Sequence, residues 1–280
     1  MTRRDTFSVP LALRIGADSL PTVPFGDHQI SRLIVGGNPV SGTSHWSPQL
    51  SREMVDYFTT ENTKRMLTRC EHHGINTWQS RGDRHILRLL HEYRQEGGHI
   101  QWIAQTATEI DYGRNIGEIA GEKPIGIYHH GSRTDRFWAD GRIDQLSDAL
   151  KAIRQTGVRT GLGTHLPEVI DYVEDKGWDV DFYMTCLYNP RHQPGGGELF
   201  DDNDREKMLK RVRQTSRQCL LFKVYGAKRH CDSAERMLAA LKLAFASAKP
   251  HDAVVVGMFP KHSDQVAQNC ELVRRAIAAS

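Results

Sequence analysis

The 280-residue sequence predicts one closed (β/α)8 barrel, a TIM barrel of the α/β class. Three observations carry that expectation. Eight short apolar runs alternate with amphipathic helical segments, many of those segments close on glycine, and no linker separates one unit from the next. A GxGxxG turn after the first run, which would suit an open dinucleotide-binding sheet, is missing.

Taken in order, "RLIVGGNPVSG" is the first strand and "TKRMLTRCEHHG" the helix that closes at Gly74. "INTWQSR" leads to "DRHILRLLHEYRQEGG", where Ile86, Leu89, Leu90 and Tyr93 fall on one face at helical spacing. "IQWIAQTA" precedes a weak helix near "NIGEIAGEK". "PIGIYHH" precedes "RIDQLSDALKAIRQTG", with Ile143, Leu146, Leu150 and Ile153 on one stripe. The second half repeats the scheme: "RTGLGTH" with "LPEVIDYVEDKG", "VDFYMTCLYNP" with "DDNDREKMLKRVRQTS", "QCLLFKVYGAKR" with "AERMLAALKLAFASA". "DAVVVGMF" comes last, before a helix bearing Val266, Cys270, Val273 and Ile277. Glycine at a helix end accepts the left-handed backbone that the turn into the next strand needs.

Residues 1–30 read as an N-terminal arm and hairpin capping the barrel floor, and residues 31–280 as the barrel. Three irregular stretches follow strands and so belong to the catalytic face: 36–52, "HGSRTDRFWADG" and "NPRHQPGGGELFDDND".

Composition narrows the function classes. The formal net charge of +3, from 37 Lys and Arg against 34 Asp and Glu spread evenly, argues against a nucleic-acid partner. No apolar run reaches the roughly 18 residues of a membrane span. Five cysteines, odd in number and without CxxC spacing, read as reduced thiols of a cytoplasmic protein. "MTRRDTFSVPLAL" holds a twin arginine but no apolar segment or cleavage site, so it reads as an ordinary arm rather than an export signal. The expected partner is a small-molecule substrate.

Five segments in order resemble the aldo-keto reductase superfamily: "FGDHQISRLIVGGNP", "GINTWQSRGD", "IRQTGVRTGLGTH", "TCLYNPRHQ" and "VVVGMFPKHSDQVAQN". The resemblance implies hydride transfer from NADPH to a carbonyl, with a tyrosine donating the proton and a lysine, an aspartate and a histidine tuning it. Carried over position by position, Gln79 stands at the aspartate and Arg84 or His85 at the tyrosine. Gln105 or Thr106 stands at the lysine, and His130, or His129 in the other register, at the histidine. Glutamine has no titratable proton, so the resemblance implies an altered proton donor. On the cofactor side it implies Gly257, Gln265 at a position that often holds arginine, Lys261 and His262 toward a phosphate, and Asn269 toward the adenine.

The residues add candidates of their own. Lys223 breaks an apolar strand, and a lysine inside a barrel has a lowered pKa suited to proton supply or Schiff-base chemistry. Tyr225 follows it, and Lys228 and Arg229 form a basic cluster for an anionic substrate or a pyrophosphate. Trp78, Arg81, Gln105, Glu109 and Asn189 are the candidate substrate contacts, and Cys186 a nucleophile without an identifiable base. His130, His165 and Glu109 are the candidate ligands if a divalent metal is bound, although no HxH or HExxH spacing is present. Strand alternation forbids His129 and His130 from facing the interior together. Three readings follow: a nicotinamide-dependent oxidoreductase acting on a small polar carbonyl or sugar-like substrate; a non-redox lyase, isomerase or hydrolase using His129, His130 and His165; and a ligand-binding barrel without catalysis.

Overall fold

The computed structural model describes residues 20–107, 109–192 and 198–279. Eight parallel strands close into a barrel in sequence order: β3 (Leu33–Gly36), β4 (Thr77–Arg81), β5 (Gln101–Gln105), β6 (Gly126–His129), β7 (Arg159–Thr164), β8 (Phe182–Cys186), β11 (Gln218–Phe222) and β12 (Ala253–Gly257), which returns to β3. Each of the eight expected apolar runs supplies one of them. Two short hairpins lie outside the ring: β1 (Thr22–Phe25) with β2 (His28–Ser31), and β9 (Arg191–His192) with β10 (Glu198–Leu199).

Eight helices match the expected helical segments: α2 (Thr60–His72), α3 (Arg84–Gln95), α4 (Tyr112–Gly121), α6 (Leu146–Arg154), α7 (Pro167–Asp175), α8 (Asp202–Gln214), α9 (Ala234–Ser247) and α10 (Gln265–Ile277). Their apolar stripes bury against outward-facing strand residues such as Trp78, Trp102, Ile127, Leu162 and Tyr183. Gly74, at φ +85°, closes α2 in the left-handed region. Two stretches expected to be irregular hold helices instead. Within 36–52 and beyond, Ser47 caps α1 (Pro48–Tyr57) and accepts the Leu50 amide. "HGSRTDRFWADG" forms α5 (Gly131–Ala139), which starts immediately after β6.

A second core fills the barrel interior: Ile34, Ile103, Tyr128, Phe182, Met184, Leu220 and Val255, with Phe25 and Ile30 of the hairpin. Phe25 and Phe182 meet edge to face at 5.0 Å, and the Arg159 guanidinium covers Phe25 at 4.6 Å. Gly126 and Gly161 make room for these rings, since a Cβ at Gly161 would come within 2.4 Å of the Phe182 ring. The hairpin backbone is held from the strands: the Gln218 amide donates to the Pro24 carbonyl at 3.0 Å, and the Gln101 amide to the Gln29 carbonyl at 2.8 Å. The hairpin therefore lies across the amino-terminal end of the strands. Residues 1–19 of the expected arm lie outside the described residues. Among the described residues no helix is long and apolar enough to cross a membrane.

Candidate active site at the carboxyl ends of the strands

Two adjoining cavities open at the carboxyl-terminal end of the barrel. The first, of about 520 Å³, lies over β11, β12 and β3 and is bordered by Gly36, Met54, Val255, Gly257, Phe259 and Lys228. The second, of about 440 Å³, lies over β4 to β8 and is bordered by Arg81, Gln105, Tyr128, His130, Asp135 and His165. Asn38, His45, Gln79, Phe222 and Lys223 border both.

Strand alternation explains the second cavity's lining. Interior positions of β4, β5, β6 and β7 end in Gln79 and Arg81, Gln105, Tyr128 and His130, and Gly163 and His165. Gln79 donates its amide to the Tyr128 hydroxyl at 2.7 Å. Burial raises the Tyr128 phenol far above its usual range, so it stays protonated. Arg81 pairs with Glu109 and lies 3.5 Å from Asp83.

Two of the imidazoles facing this cavity, His130 and His165, are held in opposite states. His130 is lowered to about 4 by burial, with Arg81 and the charged His165 nearby adding to the effect. Its Nδ1 is buried and finds no protein partner. Burial would lower His165 as well, but Cys186 and Asp135 beside it outweigh that and raise it to about 9. Asp135 sits on α5 and reaches over the end of β7. Its carboxylate accepts from His165 Nδ1 at 2.6 Å, from the Thr164 hydroxyl at 2.5 Å and from the His165 amide at 3.2 Å.

Three loops are tied together over the mouth. His45 Nδ1 contacts Glu198 at 2.9 Å, and the Arg229 guanidinium stacks on Phe200 at 3.8 Å while donating to the Glu198 and His45 carbonyls. Burial, then Lys223, lowers the His45 pKa against the pull of Glu198.

Several expected residues sit elsewhere. His129 faces outward, buried among Tyr112 and Phe137, with Nδ1 2.7 Å from the Thr134 hydroxyl, because it alternates with His130. Burial holds it neutral, at about 3. Trp78 is likewise outward and fully buried against the helices, so it is core. Tyr225 borders the first cavity, which His130 and His165 do not line, and its hydroxyl donates to Asn269 at 2.7 Å. Asn269 is buried in that bond and does not line the cavity. Lys261 is engaged by Glu53 at 2.8 Å outside the cavity lining, whereas His262, 2.6 Å from the same carboxylate, borders it. Gln265 borders it too, but its amide oxygen accepts the Phe259 N–H at 2.7 Å. Arg229 serves the mouth rather than a cavity wall. Lys223 does not interrupt β11: the strand ends at Phe222, and Lys223 turns at φ +59° to face both cavities. Glu109 lies outside the second cavity, so His130, His165 and Glu109 do not assemble as ligands. Among the described residues no group of three His, Cys, Asp or Glu does so. Gly257 and Lys228 border the first cavity and Asn189 the second.

Sequence reasoning missed Asp135, Tyr128 and Glu198. Tyr128 was available from alternation alone, two residues before His130 on the same strand. Asp135 was hidden because its short helix carries no clear apolar stripe.

No family model matches the chain, and no curated protein does. Solved structures match in fold. The glycerol dehydrogenase AKR11B4 from Gluconobacter oxydans superimposes with a TM-score of 0.59 at 12% identity, over 95% of both chains. Gox0644 superimposes with a TM-score of 0.60 at 10% identity over 93% of both. QR15, an aldolase, gives 0.50 at 8% identity over 79% of this chain and 92% of its own. What these structures share with the chain is the closed barrel of eight parallel strands that the sequence predicts. At these identities the likeness is one of fold alone.

Proposed function

We propose that the chain is a barrel enzyme that reduces, or oxidises to, a small polar carbonyl compound, with a nicotinamide dinucleotide in the first cavity and the substrate in the second. The observation that carries this reading is the pair of cavities sharing one wall of Gln79, Phe222 and Lys223. The first suits a dinucleotide. Its walls are largely apolar, Lys228 and Lys223 offer cations to a pyrophosphate, and Phe222 offers a ring face for stacking. The backbone is bare at Gly257, where a Cβ would crowd Pro39 at 2.9 Å. When bound, such a cofactor exchanges a hydride with the substrate carbon.

The chain's own residues handle the proton. His165, kept charged by Asp135 and Cys186, is the acid beside the second cavity. Neutral His130, which borders the same cavity, offers its imidazole to a substrate hydroxyl or carbonyl. Two neighbouring groups pushed to opposite protonation states divide the work of acid and base. Gln79 and Gln105 do not titrate; they orient the Tyr128 phenol and the substrate oxygens.

The same imidazole pair supports a second reading, proton transfer without redox chemistry, as in an isomerase or lyase. Titrating NADPH or NADH and following nicotinamide fluorescence separates the two. Saturable binding is expected; no binding at high micromolar cofactor would remove the redox reading and leave the second.

A further inference from the structure

We propose that Cys186, His165 and Asp135 form a thiolate–imidazolium–carboxylate unit whose sulfur adds to the carbonyl carbon of a small aldehyde in the second cavity. The inference rests on that cavity being the substrate chamber, and adds a covalent step to it.

The three residues come from separate elements and converge by construction. Cys186 ends β8 at an interior position, in step with Phe182 and Met184. Its neighbours on the flanking strands are His165, one residue beyond the Thr164–Thr185 pair, and Phe222, its partner in register. His165 lies beside Cys186 in the register of the neighbouring strands and, through Nδ1, bonds Asp135 at 2.6 Å on the other side. A nucleophile, a base and a group orienting the base is the constellation that activates a thiol.

The charges around the sulfur favour its anion. Burial alone would raise the thiol, but His165 and then Lys223 outweigh it and lower the pKa. Asp135 on α5, His130 just beyond β6, Arg81 on β4, Tyr128 on β6, Lys223 after β11, and His45 and Glu198 of the mouth loops are the further titratable or charged groups bordering this cavity. The other cysteines differ: burial raises Cys70, Cys219 and Cys270 above the ordinary range, and Cys231 is exposed.

Cys186 is fully buried in the resting structure. His165 and Phe222 both border the second cavity, their rings 5.8 Å apart, and Phe222 also borders the first. Phe222, paired in register with Cys186 and with a cavity on either side, is the ring whose turn the proposal requires to open a path to the sulfur. The step balances without an oxidant. The C–S bond forms, the carbonyl π pair moves to oxygen, and His165 gives that oxygen its proton, leaving a neutral thiohemiacetal. Asp135 is a positioning residue in this scheme.

The test is alkylation of the intact, folded chain by limiting iodoacetamide at pH 6, with the five cysteines followed separately by peptide mass. Cys186 is expected to label more than about tenfold faster than exposed Cys231, because an ordinary thiol is under about 1% thiolate at that pH. His165→Asn is expected to slow Cys186 about tenfold, and glycolaldehyde to slow Cys186 but not Cys231. Absorbance at 240 nm, read at the same pH, is expected to fall in Cys186→Ser. Labelling of Cys186 no faster than Cys70, Cys219 or Cys270, or only after unfolding, overturns the nucleophile, even if the 240 nm band is present. Absence of protection by glycolaldehyde overturns the addition step. Either failure leaves the cofactor titration untouched, so the two readings fall separately.

Discussion

At the floor of the barrel the interior positions are Phe25, Ile30, Phe182 and Leu220, all fully buried. At the mouth the corresponding positions are Gln79, Arg81, Gln105, His130, His165 and Cys186. The floor is filled by rings fitted to glycines; the mouth encloses two cavities. Backbone conformation divides the same way. Among the described residues five non-glycine positions have positive φ, and four of them, His45, Lys223, Ala227 and Lys228, border the cavities. Unfavourable conformations persist where the surroundings enforce them, and they gather at sites. One end of the barrel supplies stability, and the other draws on it.

Substitutions can break or sharpen that contrast. Phe25→Ala should have the largest effect, a loss of about 3–5 kcal/mol from an emptied core position, read by urea unfolding, with cofactor affinity little changed in the folded protein. If the loss is below about 1 kcal/mol, the hairpin is not part of the core.

At the mouth the expected signature is a pH dependence. Folded His165 holds its proton up to about pH 9, against an ordinary 6.5. Its contribution is therefore full below pH 6.5 and is lost as pH rises through 9. Melting curves between these limits should show that decline in the wild type and a flatter profile in His165→Asn, with Asp135→Asn in between.

Arg229→Ala removes a stacked guanidinium and its bonds to two loop carbonyls. A cost of about 1–2 kcal/mol is expected, with faster proteolysis confined to the three mouth loops. The smallest effect is expected at Glu53, which engages Lys261 and His262 at the edge of the first cavity. Freeing those cations in Glu53→Gln should strengthen NADPH binding roughly two- to fivefold relative to NADH. An equal change for both cofactors would place the extra phosphate elsewhere.

The same contrast explains what was legible in the sequence. All eight barrel strands and eight helices were readable because burial imposes periods of two and 3.6 on the apolar residues. The site was readable only where it follows from those periods. His130, His165, Gln79, Gln105 and Arg81 fall on interior strand ends. His129 and Trp78 drop out by the same alternation, which the resemblance by itself did not decide. Asp135, Glu198 and the role of Arg229 depend on how loops cross the mouth, and no local pattern records that. Cys186 lacked a base in the sequence because His165 lies 21 residues away and meets it only when neighbouring strands align.

The central claim is that His130 and His165 face one cavity in opposite protonation states. Imidazole 15N NMR titration of the full chain, assigned with His130→Asn and His165→Asn, tests it directly. The expected result is one ring that stays doubly protonated to about pH 9 and vanishes in His165→Asn, and another that stays neutral down to about pH 4 and vanishes in His130→Asn. Two rings that both titrate near 6.5 would contradict it.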